Sequence, residues 1–137
     1  LNIDDKTASH YLHMLQETGL VEIIYAQEHG NAFLRKPEKV FLNNTNLHFS
    51  LLGHTEKTGS IETIRELAFI QATKNAGFNV YYSKIGDYKV SEHLFEIGEK
   101  NKTRQQLKGQ SNASLVKDDI IFSFDNSIPL IHFGFLY

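Results

Sequence analysis

The chain has 137 residues and a formal net charge of −2, with 41% apolar and 22% charged residues. This length and composition indicate a packed hydrophobic core and exclude intrinsic disorder, while the charge excludes a strongly basic nucleic-acid-binding protein. The absence of cysteine excludes a disulfide framework, a zinc ribbon and thiol catalysis. We find neither a signal peptide nor an apolar stretch of the roughly 20 residues that span a bilayer, so we expect a cytoplasmic protein without membrane contact.

The organisation of the chain suggests two domains. Leu1 replaces the usual Met, and this apolar start predicts that the chain is a piece of a longer protein. Glycines and polar residues cluster near residues 53–59, which predicts a joint between a domain at 1–53 and a domain at 54–137. The cluster lacks the spacing of a phosphate-binding P-loop, so we assign no ATPase chemistry to these residues.

The first domain is predicted to hold one helix and two strands. Acidic and hydroxyl side chains at residues 4–7 are candidate helix caps. Apolar residues then recur at helical spacing, namely Ala8, Tyr11, Leu12 and Leu15. We expect Gly19 to end this helix in the left-handed conformation. Strands are predicted over residues 20–26 and 40–42, with a turn at residues 29–31.

This order of helix, turn and two-stranded wing is similar to the C-terminal half of a winged helix-turn-helix. Residues 7–24 resemble its recognition helix and first wing strand. The resemblance implies insertion of the helix into the major groove of DNA. The small number of cations in this domain instead favours a packing or protein-contact role.

The second domain is predicted to follow the order αβββαβ. A helix is expected over residues 61–76 and a shorter one over residues 102–108. Strands are expected over residues 79–85, 87–90, 93–97, 113–116 and 120–124, followed by an apolar tail. A long first helix among mixed strands predicts an α/β (α+β) sandwich rather than a bundle or a barrel.

Three acids in the second domain are candidate metal ligands. Glu66 shares a helix face with apolar residues, Asp87 opens a strand, and Glu96 lies within the next strand. If these carboxylates converge, they offer the hard oxygen ligands that Mg²⁺ prefers. A bound Mg²⁺ would activate water for phosphodiester cleavage.

The acids and the element order resemble the PD-(D/E)XK nuclease superfamily, which includes restriction endonucleases and Holliday-junction resolvases. Glu66 matches the helix acid of that family, Asp87 the aspartate, and Glu96 the second acid. The family lysine falls on Gly98 in this sequence. Lys100 is the candidate for a shifted lysine, and the resemblance therefore implies a degenerate catalytic centre.

A second resemblance covers nearly the whole chain. Residues 62–90, 95–109 and 118–137 are similar to the C-terminal region of uncharacterised prokaryotic AAA-type ATPases. In that family a P-loop ATPase module precedes a winged helix and a terminal nuclease-like domain. The resemblance implies that ATP belongs to the upstream module, which would be a partner of this chain.

Four cations in and near the short helix predicted over residues 102–108 are candidate nucleic-acid contacts: Lys100, Lys102, Arg104 and Lys108. The first, third and fourth recur every four residues, so a helix covering them would form one basic stripe. Such a stripe would contact DNA phosphates. A solvated helix face is the alternative interpretation.

These patterns predict an accessory domain of an AAA-type ATPase that binds a protein or nucleic-acid partner without catalysis of its own. Two alternatives remain open. One is a Mg²⁺-dependent endonuclease that uses Glu66, Asp87 and Glu96. The other is a purely structural or oligomerisation module.

Overall fold

The protein has a mixed α/β fold, as the sequence predicts. The structure is a computed structural model that describes residues 3–27, 36–55 and 60–136, without the side chains of residues 54 and 55. None of the described helices is long and apolar enough to cross a membrane.

The elements follow one another as α1 (Asp5–Glu17), β1 (Val21–Ile24), β2 (Lys39–Leu42), α2 (Thr45–Thr55), α3 (Ile61–Asn75), β3 (Val80–Tyr82), β4 (Tyr88–Val90), β5 (His93–Gly98), a 3₁₀ helix (Arg104–Leu107), β6 (Ala113–Lys117), β7 (Ser127–Pro129) and α4 (Leu130–Phe133). The predicted turn at 29–31, the end of the predicted joint at 56–59 and Tyr137 lie outside the described residues.

Two sheets are present among the described residues. Strands β1 and β2 form an antiparallel pair, and the larger sheet has the order β3-β4-β5-β6-β7. Strand β4 runs antiparallel to both of its neighbours, β3 and β5, whereas β5, β6 and β7 run parallel. The predicted strands 79–85, 87–90, 93–97 and 113–116 are therefore confirmed in identity, with bounds that shift by a few residues.

Helix α1 begins and ends as its sequence predicts. Asp4 is the N-cap, and its Oδ1 accepts a hydrogen bond from the Thr7 amide at 2.8 Å. Gly19 follows the helix with a φ of 74°, which favours glycine because that residue lacks a Cβ. The predicted apolar stripe is not buried, however. Helix α1 is described in full and has no buried side chain, and Tyr11 is 56% exposed.

The main core lies between α3 and one face of the large sheet. Phe69 of α3 is fully buried, and its ring centroid lies 5.7 Å from that of Tyr88, 5.2 Å from that of Phe95 and 4.9 Å from that of Phe133. Aromatic contacts of this kind add to the free energy gained by apolar burial. The same core includes Ile24 of β1, which is buried beside them.

The residues on either side of the predicted joint contact each other extensively. Besides the burial of Ile24, the Tyr82 amide donates a hydrogen bond to the carbonyl of Tyr25 at 2.9 Å, and Ala26 forms a parallel bridge with Tyr82. Residues 25 and 26 thus contact the edge of the large sheet at β3. The division into domains 1–53 and 54–137 stays a prediction.

Several elements differ from the sequence-based expectation, and the predicted apolar tail contains β7 and α4. The helix predicted over 102–108 is a single 3₁₀ turn, because the backbone is extended at Thr103 and again leaves helical geometry at Lys108. The strand predicted over 120–124 is absent, and Phe124 alone pairs with Ser127 across a two-residue turn. Helix α2 was not predicted, although the Asn44 side chain caps its first turn by accepting from the Leu47 amide at 2.8 Å.

Candidate functional site: a carboxylate cleft

A cleft of about 280 Å³ lies where β4 begins and β5 ends, beside the first turns of α3. It is lined by Glu62, Arg65, Glu66, Asp87, Ile97, Gly98, Glu99 and Lys102. We call it the carboxylate cleft. Two of the three acids predicted as metal ligands, Glu66 and Asp87, line it, and Glu96 does not.

Glu66 is held by two groups of the chain itself. Its Oε2 accepts a hydrogen bond from the Tyr88 hydroxyl and lies 2.7 Å from the Nζ of Lys39. The Lys39 ammonium is also 4.8 Å from the centre of the Tyr88 ring. Burial and the nearby Glu66 carboxylate raise the pKa of Tyr88 far above its usual range, so its hydroxyl stays protonated and donates. Glu66 therefore has a cation and a donor within its own fold.

Asp87 is positioned by the turn that precedes β4. Gly86 has a φ of 74°, and a Cβ at that position would lie 2.9 Å from the carbonyl oxygen of Phe95, so only glycine fits there. The Asp87 Oδ2 accepts a hydrogen bond from the Ile97 amide at 2.7 Å. Burial raises the pKa of Asp87, and that hydrogen bond opposes the rise.

The raised pKa of Asp87 predicts a pH-dependent contribution to stability. Because the pKa of Asp87 in the folded state lies above the ordinary value of 3.8, the folded state holds the carboxyl proton more tightly than the unfolded state does. The contribution to the free energy of unfolding therefore falls as pH rises through the interval between that value and the folded pKa. Relative to Asp87→Asn, which retains a hydrogen-bond acceptor, the wild-type protein should lose stability over this interval.

Urea denaturation at a series of pH values measures this difference. Asp4→Asn is the matched control, because the hydrogen bond from the Thr7 amide lowers the pKa of Asp4. Its pH dependence should have the opposite sign, with the wild type gaining stability as pH rises. Parallel curves for wild type and Asp87→Asn would contradict the interpretation of Asp87.

Glu96 lies on the face of β5 opposite to α3. Phe95 and Ile97 belong to the core shared with α3, so alternation along the strand directs Glu96 away from that core. The side chain is buried, and the Nζ of Lys102 lies 3.2 Å from its Oε1. This ion pair lacks the alignment of a hydrogen bond, and among the described residues no donor is aligned with either Glu96 oxygen.

Gly98 creates the space that brings Lys102 to Glu96. A Cβ at position 98 would lie 2.5 Å from Cγ and 2.7 Å from Cβ of Lys102, closer than real atoms approach. The aliphatic stem of Lys102 therefore passes over the backbone of Gly98. The sequence suggested Lys100 as a shifted lysine, but the structure brings Lys102 to the cleft. Lys100 is exposed, and its carbonyl accepts from the Nζ of Lys117 at 3.0 Å.

The predicted basic stripe is not formed. The 3₁₀ helix is too short to carry it and has three residues per turn, so residues four apart do not share a face. Arg104 instead donates from Nη2 to the carbonyl of Ala113 at 3.1 Å, which fastens the loop before β6. Lys102 is paired with Glu96, while Lys100 and Lys108 remain exposed.

The three acids predicted to bind Mg²⁺ are each engaged within the fold, and the Mg²⁺ site stays a prediction. Within the described ranges, no three His, Asp or Glu side chains are grouped closely enough to hold a metal ion. Glu66 is engaged by Lys39 and Tyr88, and Glu96 is paired with Lys102 outside the α3 core. The acids predicted from the sequence thus surround the cleft without forming a ligand set.

The two residues that contact Glu66 were not identified from the sequence. Tyr88 follows Asp87 directly, and strand alternation could have placed it towards α3. Lys39 lies 27 residues before Glu66, and no local pattern connects the two. Its presence shows that the first 53 residues contribute a charged group to a site otherwise formed by the second part of the chain.

Together, these features describe a mixed α/β protein with a cleft in which carboxylates are paired with lysines of the same chain. No protein-family model matches the chain, and neither the curated proteins nor the solved structures contain a match to it.

Proposed function

We propose that this chain is an accessory domain of an AAA-type ATPase that binds a partner in the cytoplasm and has no catalysis of its own. The observation that carries the proposal is the state of the three acids. Glu66 is engaged by Lys39 and Tyr88, Asp87 by the Ile97 amide, and Glu96 by Lys102. Acids that are engaged within the fold must give up these contacts before they can bind a catalytic ion.

Exposed apolar side chains support a protein as the partner. Ile121 is 73% exposed and Phe122 79% exposed in the segment before β7, and Phe135 after α4 is 77% exposed. Large exposed apolar side chains are typical of protein-contact surfaces when they occur together. Nucleic acid is the less favoured partner, because Lys102 and Arg104 already have partners within the chain.

Incubation with Mg²⁺ or Mn²⁺ and branched, single-stranded and double-stranded DNA tests the absence of catalysis. We expect no cleavage products over many hours, and no difference between the wild type and Glu96→Ala. A salt titration of any DNA binding should be shallow, since two of the four predicted contact residues, Lys102 and Arg104, already have partners within the chain. Metal-dependent products that disappear in Glu96→Ala would contradict the proposal.

The second candidate function is a metal-dependent nuclease in which Lys102 replaces the lysine missing at position 98. The specific observation in its favour is that Lys102 lines the carboxylate cleft with its stem in the space left by Gly98. An ammonium group there would stabilise negative charge that develops during phosphodiester cleavage. In the same assay, this function requires products that are lost in both Lys102→Ala and Glu96→Ala.

A further inference from the structure

A second cavity, of about 500 Å³, lies beside the 3₁₀ helix and the turn that follows it. It is lined by Thr103, Arg104, Gln105, Leu107, Lys108, Gly109 and Gln110. Its volume falls within the range of about 300–1,000 Å³ that is typical of small-ligand sites. Two of the lining side chains are cations and none is an acid, so the cavity attracts anions. We call it the basic cavity.

A β-turn brings both cations to this cavity, although they do not share a helix face. The amide of Gln110 donates a hydrogen bond to the carbonyl of Leu107 at 3.1 Å. Lys108 has a φ of −59° and a ψ of 128°, and Gly109 has a φ of 83°, as in a type II turn. The chain turns back at this point, and Lys108 therefore lines the same cavity as Arg104.

The charge of Arg104 is not neutralised by any described residue. Its half-buried guanidinium donates from Nη2 to the carbonyls of Ala113 at 3.1 Å and Gln110 at 3.5 Å, and these carbonyls carry no net charge. Its Nε is buried and has no acceptor in the part of the chain that the structure describes. Nor does a described carboxylate form an ion pair with Arg104 or Lys108. A cation shielded from water gains from a counter-ion, and a bound anion would supply one.

We propose that the basic cavity binds a small organic phosphate monoester. A phosphate monoester carries nearly two negative charges at neutral pH and so matches two cations, whereas a carboxylate carries one. Guanidinium and ammonium groups are the usual donors to phosphate oxygens. Leu107 also lines the cavity and offers apolar surface to the organic part of the ligand. The basic cavity shares no lining residue with the carboxylate cleft, so this inference goes beyond the proposed function.

Titration of the isotope-labelled protein with phenyl phosphate, followed by NMR spectroscopy, tests the inference. The amide signal of Gly109 and the Nε–H signal of Arg104 should shift in a saturable way, with a Kd of about 1 mM or below. Benzoate, which places a single charge on the same ring, should bind at least about ten times more weakly. Duplex DNA without terminal phosphates should not displace phenyl phosphate, because each phosphodiester carries one charge.

Two variants test the roles of the cations. Lys108→Met should weaken the binding of phenyl phosphate about tenfold. Arg104→Lys keeps the charge but loses the planar guanidinium, and it should weaken binding by a similar factor. Lys100→Met is the matched control, because it removes the same charge from an exposed residue that does not line the cavity, and it should bind as the wild type does. Since Lys108 is exposed, its variant decides the outcome even if Arg104→Lys does not fold.

Any of four results would overturn the inference. The first is the absence of saturable shifts up to about 10 mM phenyl phosphate. The second is an unchanged affinity in folded Lys108→Met. The third is binding of benzoate as tightly as phenyl phosphate, and the fourth is displacement by duplex DNA, which would favour a nucleic-acid phosphate as the ligand. The first three measure neither partner binding nor cleavage, so they leave the proposed accessory function standing.

Discussion

Lys102→Met should lower the free energy of unfolding by about 1–3 kcal/mol at neutral pH, because it removes the charge beside a buried carboxylate although the Lys102 side chain itself is 36% exposed. The cause is Glu96, whose side chain is 1% exposed and has the Lys102 ammonium 3.2 Å away. Methionine retains much of the aliphatic stem but no charge. The Glu96 carboxylate would then remain buried without a counter-ion, and burying an unpaired charge costs free energy.

Chemical denaturation of the purified variant measures this loss. Lys100→Met is the control, because Lys100 is exposed and carries the same charge two residues earlier in the chain. Its free energy of unfolding should stay within about 0.5 kcal/mol of the wild-type value. Lys102→Met combined with Glu96→Leu should recover most of the stability, since an apolar residue needs no counter-ion. A Lys102→Met protein as stable as the control would show that Glu96 does not depend on this lysine.

The sequence predicts those parts of the fold that local patterns determine. Helix α3 was expected over 61–76 and is observed at Ile61–Asn75, because its apolar spacing and the following Gly77 are both local signals. Gly19 is predicted for the same reason, and Asp4 is one of the candidate caps at residues 4–7. Such signals need no knowledge of which elements pack together.

The secondary-structure predictions were wrong where tertiary contacts, rather than local sequence patterns, determine the structure. Residues 120–124 have an apolar composition typical of a strand, but Ile121 and Phe122 are exposed and no partner strand pairs with them among the described residues. Helix α2 alternates apolar and polar residues in its first part, which resembles a strand pattern. The Asn44 cap was the one local signal that indicated a helix there.

The candidate site shows the same limit more sharply. Residue types and element order identified Glu66, Asp87 and Glu96, and the structure brings the first two to one cleft. The partners of these acids are set by tertiary contacts, such as the one that joins Lys39 to Glu66. Sequence spacing predicted where negative charge is placed, but it could not predict which cations neutralise it.

Gly98→Ala should destabilise the protein by about 1–3 kcal/mol, in a way that depends on Lys102. The new Cβ would lie 2.5 Å from Cγ of Lys102, so the lysine stem must move and its ammonium must withdraw from Glu96. The backbone at position 98 does not have the positive φ that would itself disfavour alanine. In a Lys102→Ala background the contacts with Cγ and Cδ are absent and only the 2.7 Å approach to the Cβ of residue 102 remains, so Gly98→Ala should then cost less than it does in the wild type.

A double-mutant cycle built from Gly98→Ala and Lys102→Ala measures this dependence as a coupling free energy, expected at about 1–3 kcal/mol for side chains in contact. Gly53→Ala is a control without such crowding, since nothing lies within 4 Å of a Cβ at that position. Because both cycle residues act on the same buried carboxylate, the second substitution has little left to disrupt once the first is made. Additive losses would mean that the glycine and the lysine stabilise the fold independently, and the reason given for glycine at this position would be wrong.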